Sequence, residues 1–253
     1  MNLGQTGLSS ALFFMRGDDN WKRVRSVVTP AFTTGKLKAM MASIEGIADQ
    51  FVNNLDVFAK SGETVDMRKY LGAFAMDVIS ACAYGINVES INNPNHPIVV
   101  NAKKILSVDS SLSYAVSVLL PPIARLLRLE PFDKNAIKFF DSLTKEIVNE
   151  RKRAAKLATN EGKKRSDFIQ LMIDNERNDR DFDSDYNSEE EIQELAQNST
   201  KKQSNQTLSE DELTAQGILF FIAGYDTTSA SLSHVVYYLS QNKDKQQILR
   251  EEL

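Results

Sequence analysis

The sequence predicts an all-α chain. Apolar residues recur at three- and four-residue spacing over long stretches, Pro and Gly are sparse at 6 and 11 in 253 residues, and no run shows the alternation of a strand. A third observation is a helix-start signal at Ser209 and Glu212, whose spacing is that of a capping box, in front of about 30 residues without a break.

The elements follow in order. DDNWKRVRSVVT, from Asp18, has acidic residues at its start and stops near Pro30, which is a short helix with its dipole complemented. A second helix is predicted from Lys36 to Lys60, stopped by Gly62. A third spans Met67 to Tyr84, where Gly72, Ala73, Ala75, Ser80 and Ala81 permit close packing and Gly85 closes the C-terminus. Asn92, Asn93, Pro94 and Pro97 form a turn, after which Ile98 to Val108 has helical spacing.

Ser113 to Leu129 is strongly apolar, but Pro121, Pro122 and Arg125 interrupt it well short of the ~20 residues needed to span a bilayer. A long helix is predicted over Lys134 to Thr159 and a short one over Ser166 to Asp174. From Asp174 to Glu194 ten acids face only Arg177 and Arg180, a local balance of -8; residues 175–208 therefore read as a solvated, disordered acidic and polar loop. The Ser209 helix follows. Its first half is apolar on every side and should run through the core. KDKQQILREEL opens a last helix and stops in mid-pattern, so the chain is expected to be a truncated piece.

Composition narrows the function. With 42% hydrophobic and 25% charged residues the chain is of globular type. A net charge of -4 gives no uniform basic surface, so nucleic acid is not an expected partner. The single cysteine, Cys82, excludes an intrachain disulfide and a paired-cysteine metal site. The N-terminal twenty residues lack the basic region and long apolar run of a signal peptide or membrane anchor.

Two constellations carry chemistry. In AGYDTT, Gly224, Asp226, Thr227 and Thr228 break the apolar pattern of a helix expected to be buried, and a buried carboxylate is costly unless used or paired. Thr227 can bond its hydroxyl back to the Ala223 carbonyl, and Gly224 lets another group approach the backbone. An acid beside an alcohol in such a notch can hold water and relay protons; a satisfied polar cluster that merely distorts the helix is the alternative. In WKRVR, Trp21 and Arg25 share a helix face. An indole N–H and a guanidinium aimed alike could clamp a carboxylate, or could be core packing beside a surface charge.

Together, in this order and about 200 residues apart, these constellations resemble the cytochrome P450 family. WKRVR followed by SVVTPAF is similar to its helix C signature, and AGYDTT to its oxygen-binding signature in helix I. SGETVDMRKYLGAFAMDVISACAYGINVESINNP, SDFIQLMID and LTAQGILFFIAGYDTTS resemble the branch of animal drug- and steroid-metabolising enzymes, and the likeness covers nearly the whole chain.

The resemblance implies a partial P450 fold over 1–253, running from about helix C to the start of helix J. It implies that Trp21 and Arg25 hold a haem propionate, that Ala223 and Gly224 line the face where oxygen binds, and that Asp226 and Thr227 deliver protons to it. Phe14, Phe220 and Ile222 are implied substrate contacts, with Ala223 beside them. Lys22, Arg23, Lys36 and Lys38 are implied to face an acidic electron-donor protein, an NADPH-dependent reductase. Ser113 to Leu129 would touch the membrane, at the cytosolic face of the endoplasmic reticulum, and admit a lipophilic substrate.

The family's small β regions, its ExxR motif and its haem-cysteine loop are missing from this sequence. Cys82, among small apolar residues on a helix, reads as a small hydrophobe rather than an iron ligand. His96 and His234 are lone histidines with structural or solvent-facing roles, so no metal site is expected. The expected function is therefore that of a middle section of a haem monooxygenase, inactive alone, and the competing reading is a non-catalytic helical protein that binds membrane or a partner.

Overall fold

A computed structural model describes residues 7–106, 132–157, 166–177 and 208–252, with isolated positions at 116, 119, 120, 123 and 126. Every long element among these is helical, as the periodicity requires: α1 (Asp19–Val28), α2 (Thr34–Ser61), α3 (Met67–Ile79), α4 (Pro97–Leu106), α5 (Lys134–Leu157), α6 (Phe168–Arg177), α7 (Glu210–Gln241) and α8 (Lys243–Glu252). No strand occurs among the described residues.

The ends are set by side chains and backbone conformation. Asp18 caps α1 by accepting the Trp21 N–H, and Asp66 caps α3 through the Lys69 N–H. Gly62 ends α2 at φ 74 and Gly85 ends the α3 segment at φ 67, left-handed conformations that glycine adopts without strain. The third helix was expected to run unbroken to Tyr84. Instead α3 gives way at Ser80 to one π-helical turn, Ser80–Tyr84, which turns the buried Tyr84 toward Phe221 and Thr144. Short 3₁₀ turns at Gly7–Ser10 and Thr29–Phe32 were not anticipated.

The α7 helix is the axis of the core. Ser209 and Glu212 form the predicted capping box, and residues Glu212–Ile218 are buried all round. Against them pack Met76 and Ala83 from the α3 segment, Phe140 from α5 and Phe168 and Met172 from α6. Phe221 meets Phe140 at 4.8 Å and Tyr84 at 5.8 Å between ring centroids. On α1, Val24, Val27 and Val28 form the buried stripe; each such side chain contributes roughly 1.5–3 kcal/mol. By contrast α2 buries no residue fully and lies at the edge.

A buried ion pair ties the layers together. Arg151 of α5 donates to Asp167 at 2.5 Å and to the Tyr84 carbonyl at 2.7 Å. Among the described residues, no helix is long and apolar enough to cross a membrane. Of the predicted acidic loop, Asn175–Arg177 belong to α6 and Leu208 is buried; the rest lies outside the described residues, as does most of Ser113 to Leu129. Within that apolar stretch Leu119, Leu120, Ile123 and Leu126 are exposed.

Candidate active site

The AGYDTT segment sits where α7 leaves the core. Phe221 is buried and Ile222 and Gly224 are half-buried, whereas Ala223, Asp226, Thr227 and Thr228 are exposed. The expectation that Asp226 is a buried carboxylate is therefore corrected: no described element covers that face. The Thr227 hydroxyl donates to the Ala223 carbonyl at 2.5 Å, as its position in mid-helix predicts. That bond takes the carbonyl's extra acceptor site and holds the threonine oxygen against the helix beside Ala223.

Gly224 serves a different neighbour from the one implied. A Cβ on it would stand 2.5 Å from Ile79 Cδ1 and 3.0 Å from Cγ1, so the close approach it permits is that of α3. One turn on, Ser229 is buried; its Oγ and the Tyr225 hydroxyl lie beside Gly72 of α3. Burial and the neighbouring Asp226 charge push the Tyr225 phenol up, keeping it protonated.

Trp21 and Arg25 do share a face. The guanidinium carbon stands 5.0 Å from the centroid of the indole ring, a cation–π contact. Arg25 is exposed and no carboxylate among the described residues pairs with it. The indole N–H, however, is not free: it donates to the Leu12 carbonyl at 3.2 Å. The two donors are adjacent without being aimed at one point.

The implied substrate contacts divide. Phe14 packs edge-on against Phe13 and Phe132. Phe220 meets Phe168 edge-on at 4.1 Å and a tilted Phe32 at 5.0 Å between ring centroids, so its ring is held in an aromatic cluster joining α7 to α6. Ile222 is half-buried against the core. Of the basic residues implied for a donor protein, Lys22, Lys36 and Lys38 are exposed. Arg23 is not free to serve: it bonds Glu212 of the capping box and Asn20.

The remaining heteroatom ligands have structural partners. His96 Nδ1 accepts the Ile98 N–H at the start of α4, and His234 Nδ1 contacts the Ala230 carbonyl at 2.7 Å. Cys82 lies half-buried in the π-helical turn, and burial pushes its thiol up, which disfavours the thiolate a metal needs. Among the described residues no cluster of three or more His, Cys, Asp or Glu could hold a metal. Sequence reading missed Gln216, an amide of α7 that bonds the Leu12 N–H and the Ser10 carbonyl, whose only signal was an amide inside an apolar run.

A cavity of about 210 Å³ opens elsewhere, between α2, α3 and the turn at Glu89, lined by Phe51, Tyr70, Phe74, Asp77 and Glu89 among others. It contains none of the predicted site residues.

An all-helical core is threaded by one long helix, α7, with the acid–alcohol pair on its emerging half and the Trp–Arg pair on α1. The cytochrome P450 family profile matches residues 2–253, and the chain belongs to that family. It is 35% identical over 256 residues to cytochrome P450 3A29 of Sus scrofa, covering 100% of this chain and 46% of that protein. It is 37% identical over 257 residues to cytochrome P450 3A11 of Mus musculus, covering 100% and 46%, and 34% identical over 254 residues to cytochrome P450 3A7 of Homo sapiens, covering 99% and 45%. The chain thus spans a little under half the length of these relatives.

Proposed function

We propose that this chain is the middle section, 1–253, of a haem-dependent monooxygenase that inserts one oxygen atom from dioxygen into a lipophilic substrate, with electrons reaching it from NADPH through a separate reductase. The observation that carries the reading is Arg25: an exposed guanidinium stacked on Trp21 and left without a carboxylate partner among the described residues. Such a cation fits an anionic ligand group, and a haem propionate is that group in this family. The small, exposed Ala223 leaves room for a flat ring against α7.

When bound, haem supplies the oxygen-activating redox chemistry. Trp21 and Arg25 anchor and orient it. Ala223 keeps the distal surface small, and Gly224 acts by letting α7 settle on α3. The Thr227 hydroxyl, held at the Ala223 carbonyl, accepts a hydrogen bond from water; the exposed Asp226 carboxylate exchanges protons with solvent beside it. Ile222 and Phe14 bound the substrate space, and Phe220 acts on its shape through Phe168. Exposed leucines at 119 and 126 support contact of that region with the cytosolic face of the endoplasmic reticulum membrane. Lys22, Lys36 and Lys38 support an acidic electron donor.

The section carries no residue suited to the iron's thiolate, so it is inactive by itself. Exposed Val235, Tyr237, Tyr238, Ile248 and Leu249 on α7 and α8 favour the second reading, a non-catalytic helical protein that docks through this face.

The test is a haem titration of the purified chain, followed by Soret absorbance and by the reduced carbon-monoxide difference spectrum. Binding weakened about tenfold or more by Arg25→Leu, the ratio for one charged hydrogen-bonded contact, is the expected result; no dependence on Arg25 would sink the cradle. A thiolate-type band from the chain alone would overturn the assignment of Cys82. In a full-length protein, Thr227→Ala should leave oxygen consumption running while product formation falls, and unchanged coupling would remove Thr227 from proton delivery.

A further inference from the structure

Gln216 is wholly buried in α7, yet both ends of its carboxamide are used. Oε1 accepts the Leu12 N–H at 2.9 Å. Nε2 donates to the Ser10 carbonyl at 2.8 Å and to the Glu212 carbonyl one turn back in its own helix at 3.0 Å. The other end of Leu12, its carbonyl, accepts the Trp21 indole N–H. One residue of main chain is therefore held from α7 on its donor side and from α1 on its acceptor side.

The cost of burying an amide is met only while these partners stay in place, since an unpaired buried amide costs on the order of 1–3 kcal/mol. Residues 10–12 cannot shift along α7 without breaking two of the bonds. Whatever fixes Leu12 also fixes the oxygen toward which Trp21 points, and it fixes the start of the Phe13–Phe14 tip, where the Phe14 N–H bonds the Ala11 carbonyl at 2.9 Å.

We propose that Gln216 is a positioning residue: from within α7 it sets the place of the Leu12 peptide, and through the Leu12 carbonyl it sets the direction of the Trp21 indole N–H and the stance of Phe14. Its meaning for function rests on the reading of Trp21 as a haem partner and Phe14 as a substrate contact; the coupling itself does not. An indole has one N–H, so Leu12 and an anionic ligand compete for it. Gln216 holds the carbonyl that ligand must displace, and the substrate-facing tip is tied to that same exchange.

Trp21 is the only tryptophan in the sequence, so fluorescence of the unloaded chain reports it alone. Gln216→Met keeps the shape and removes both polar ends. Its expected effects are a red-shifted Trp21 emission, stronger acrylamide quenching, and about tenfold faster hydrogen exchange at the Leu12 amide, the ratio for one net hydrogen bond, with helical circular dichroism retained. Gln247→Leu on the exposed α8 should change none of these.

Should the Met variant fail to fold, Gln216→Glu provides the second arm. Its carboxylate is acceptor-only and faces the Ser10 and Glu212 carbonyls without a donor, so the Leu12 peptide is released, its amide exchanges faster and Trp21 quenching rises. Parent-like Trp21 emission and quenching in whichever variant retains helix would overturn the proposal. Haem titration separates the two readings: Gln216-dependent fluorescence with Arg25-independent haem binding keeps the coupling and discards the cradle, and the reverse pattern discards the coupling alone.

Discussion

Gly85 stands against the Asp167 carboxylate so closely that a Cβ on it would lie 2.7 Å from Oδ2, and 3.1 Å from Arg151 Nη2. The same glycine has φ 67, so it meets two demands at once: a left-handed helix end and room for a buried ion pair.

Gly62 separates those demands, because it too is left-handed, at φ 74, but nothing lies within 4 Å of its missing Cβ. Gly62→Ala should cost only the backbone term, about 1–2 kcal/mol. Gly85→Ala should cost clearly more, because displacing one partner of a buried pair costs roughly 3–5 kcal/mol. Urea unfolding midpoints of the two variants check this, and equal losses would show that the pair tolerates the methyl.

Gly224 gives a prediction whose sign reverses with its neighbour. Gly224→Ala drives a methyl into Ile79 and should destabilise by roughly 1–3 kcal/mol, the usual range for overpacking. In an Ile79→Ala background the clash is gone, and replacing a mid-helix glycine by alanine should then stabilise by about 0.5–1 kcal/mol. A cost that persists without Ile79 would mean that something other than α3 needs this glycine. Thermal unfolding of the four variants in the cycle measures it.

Asp77 makes stability depend on pH. Its carboxylate accepts the Ser90 N–H at 2.8 Å and the Ser90 hydroxyl at 2.7 Å, pinning the turn whose Glu89 has φ 52. Burial, with Glu89 nearby, nevertheless holds its acidity weaker than the ordinary value of 3.8, outweighing the Ser90 bonds. The folded state therefore keeps a proton that the unfolded chain gives up, and stability from this group falls as pH rises from about that ordinary value through the raised one. Asp77→Asn retains an acceptor for the Ser90 N–H and does not titrate. Its stability relative to the parent should improve from pH 4 to pH 7; parallel curves would exclude the effect.

Much of the fold could be read from the residues because its signals are local. The capping box at Ser209, the stops at Gly62 and Gly85, and the stripe at Val24, Val27 and Val28 each act within a turn or two of chain. The Thr227 bond to Ala223 was legible for the same reason: both groups belong to one helix, so spacing fixes the geometry. Trp21 and Arg25 could be placed on one face, again from spacing alone.

What spacing could not give is anything that depends on which surface lies opposite. Asp226 sits on an apolar helix and reads as buried, yet that half of α7 has emerged from the core. Gly224 needs space for Ile79, a residue 145 positions away. Arg23 looks like a surface cation until α7 brings Glu212 to it, and Gln216 looks like an isolated amide until the chain near Leu12 folds back across it. By itself the sequence determined most of the helices, several of their caps and stops, and the family to which the chain belongs, because those are written in periodicity, caps and motif order. Only the tertiary structure decided which polar groups are satisfied and by whom, since a buried hydrogen bond or ion pair is settled by contact between segments that the sequence holds far apart.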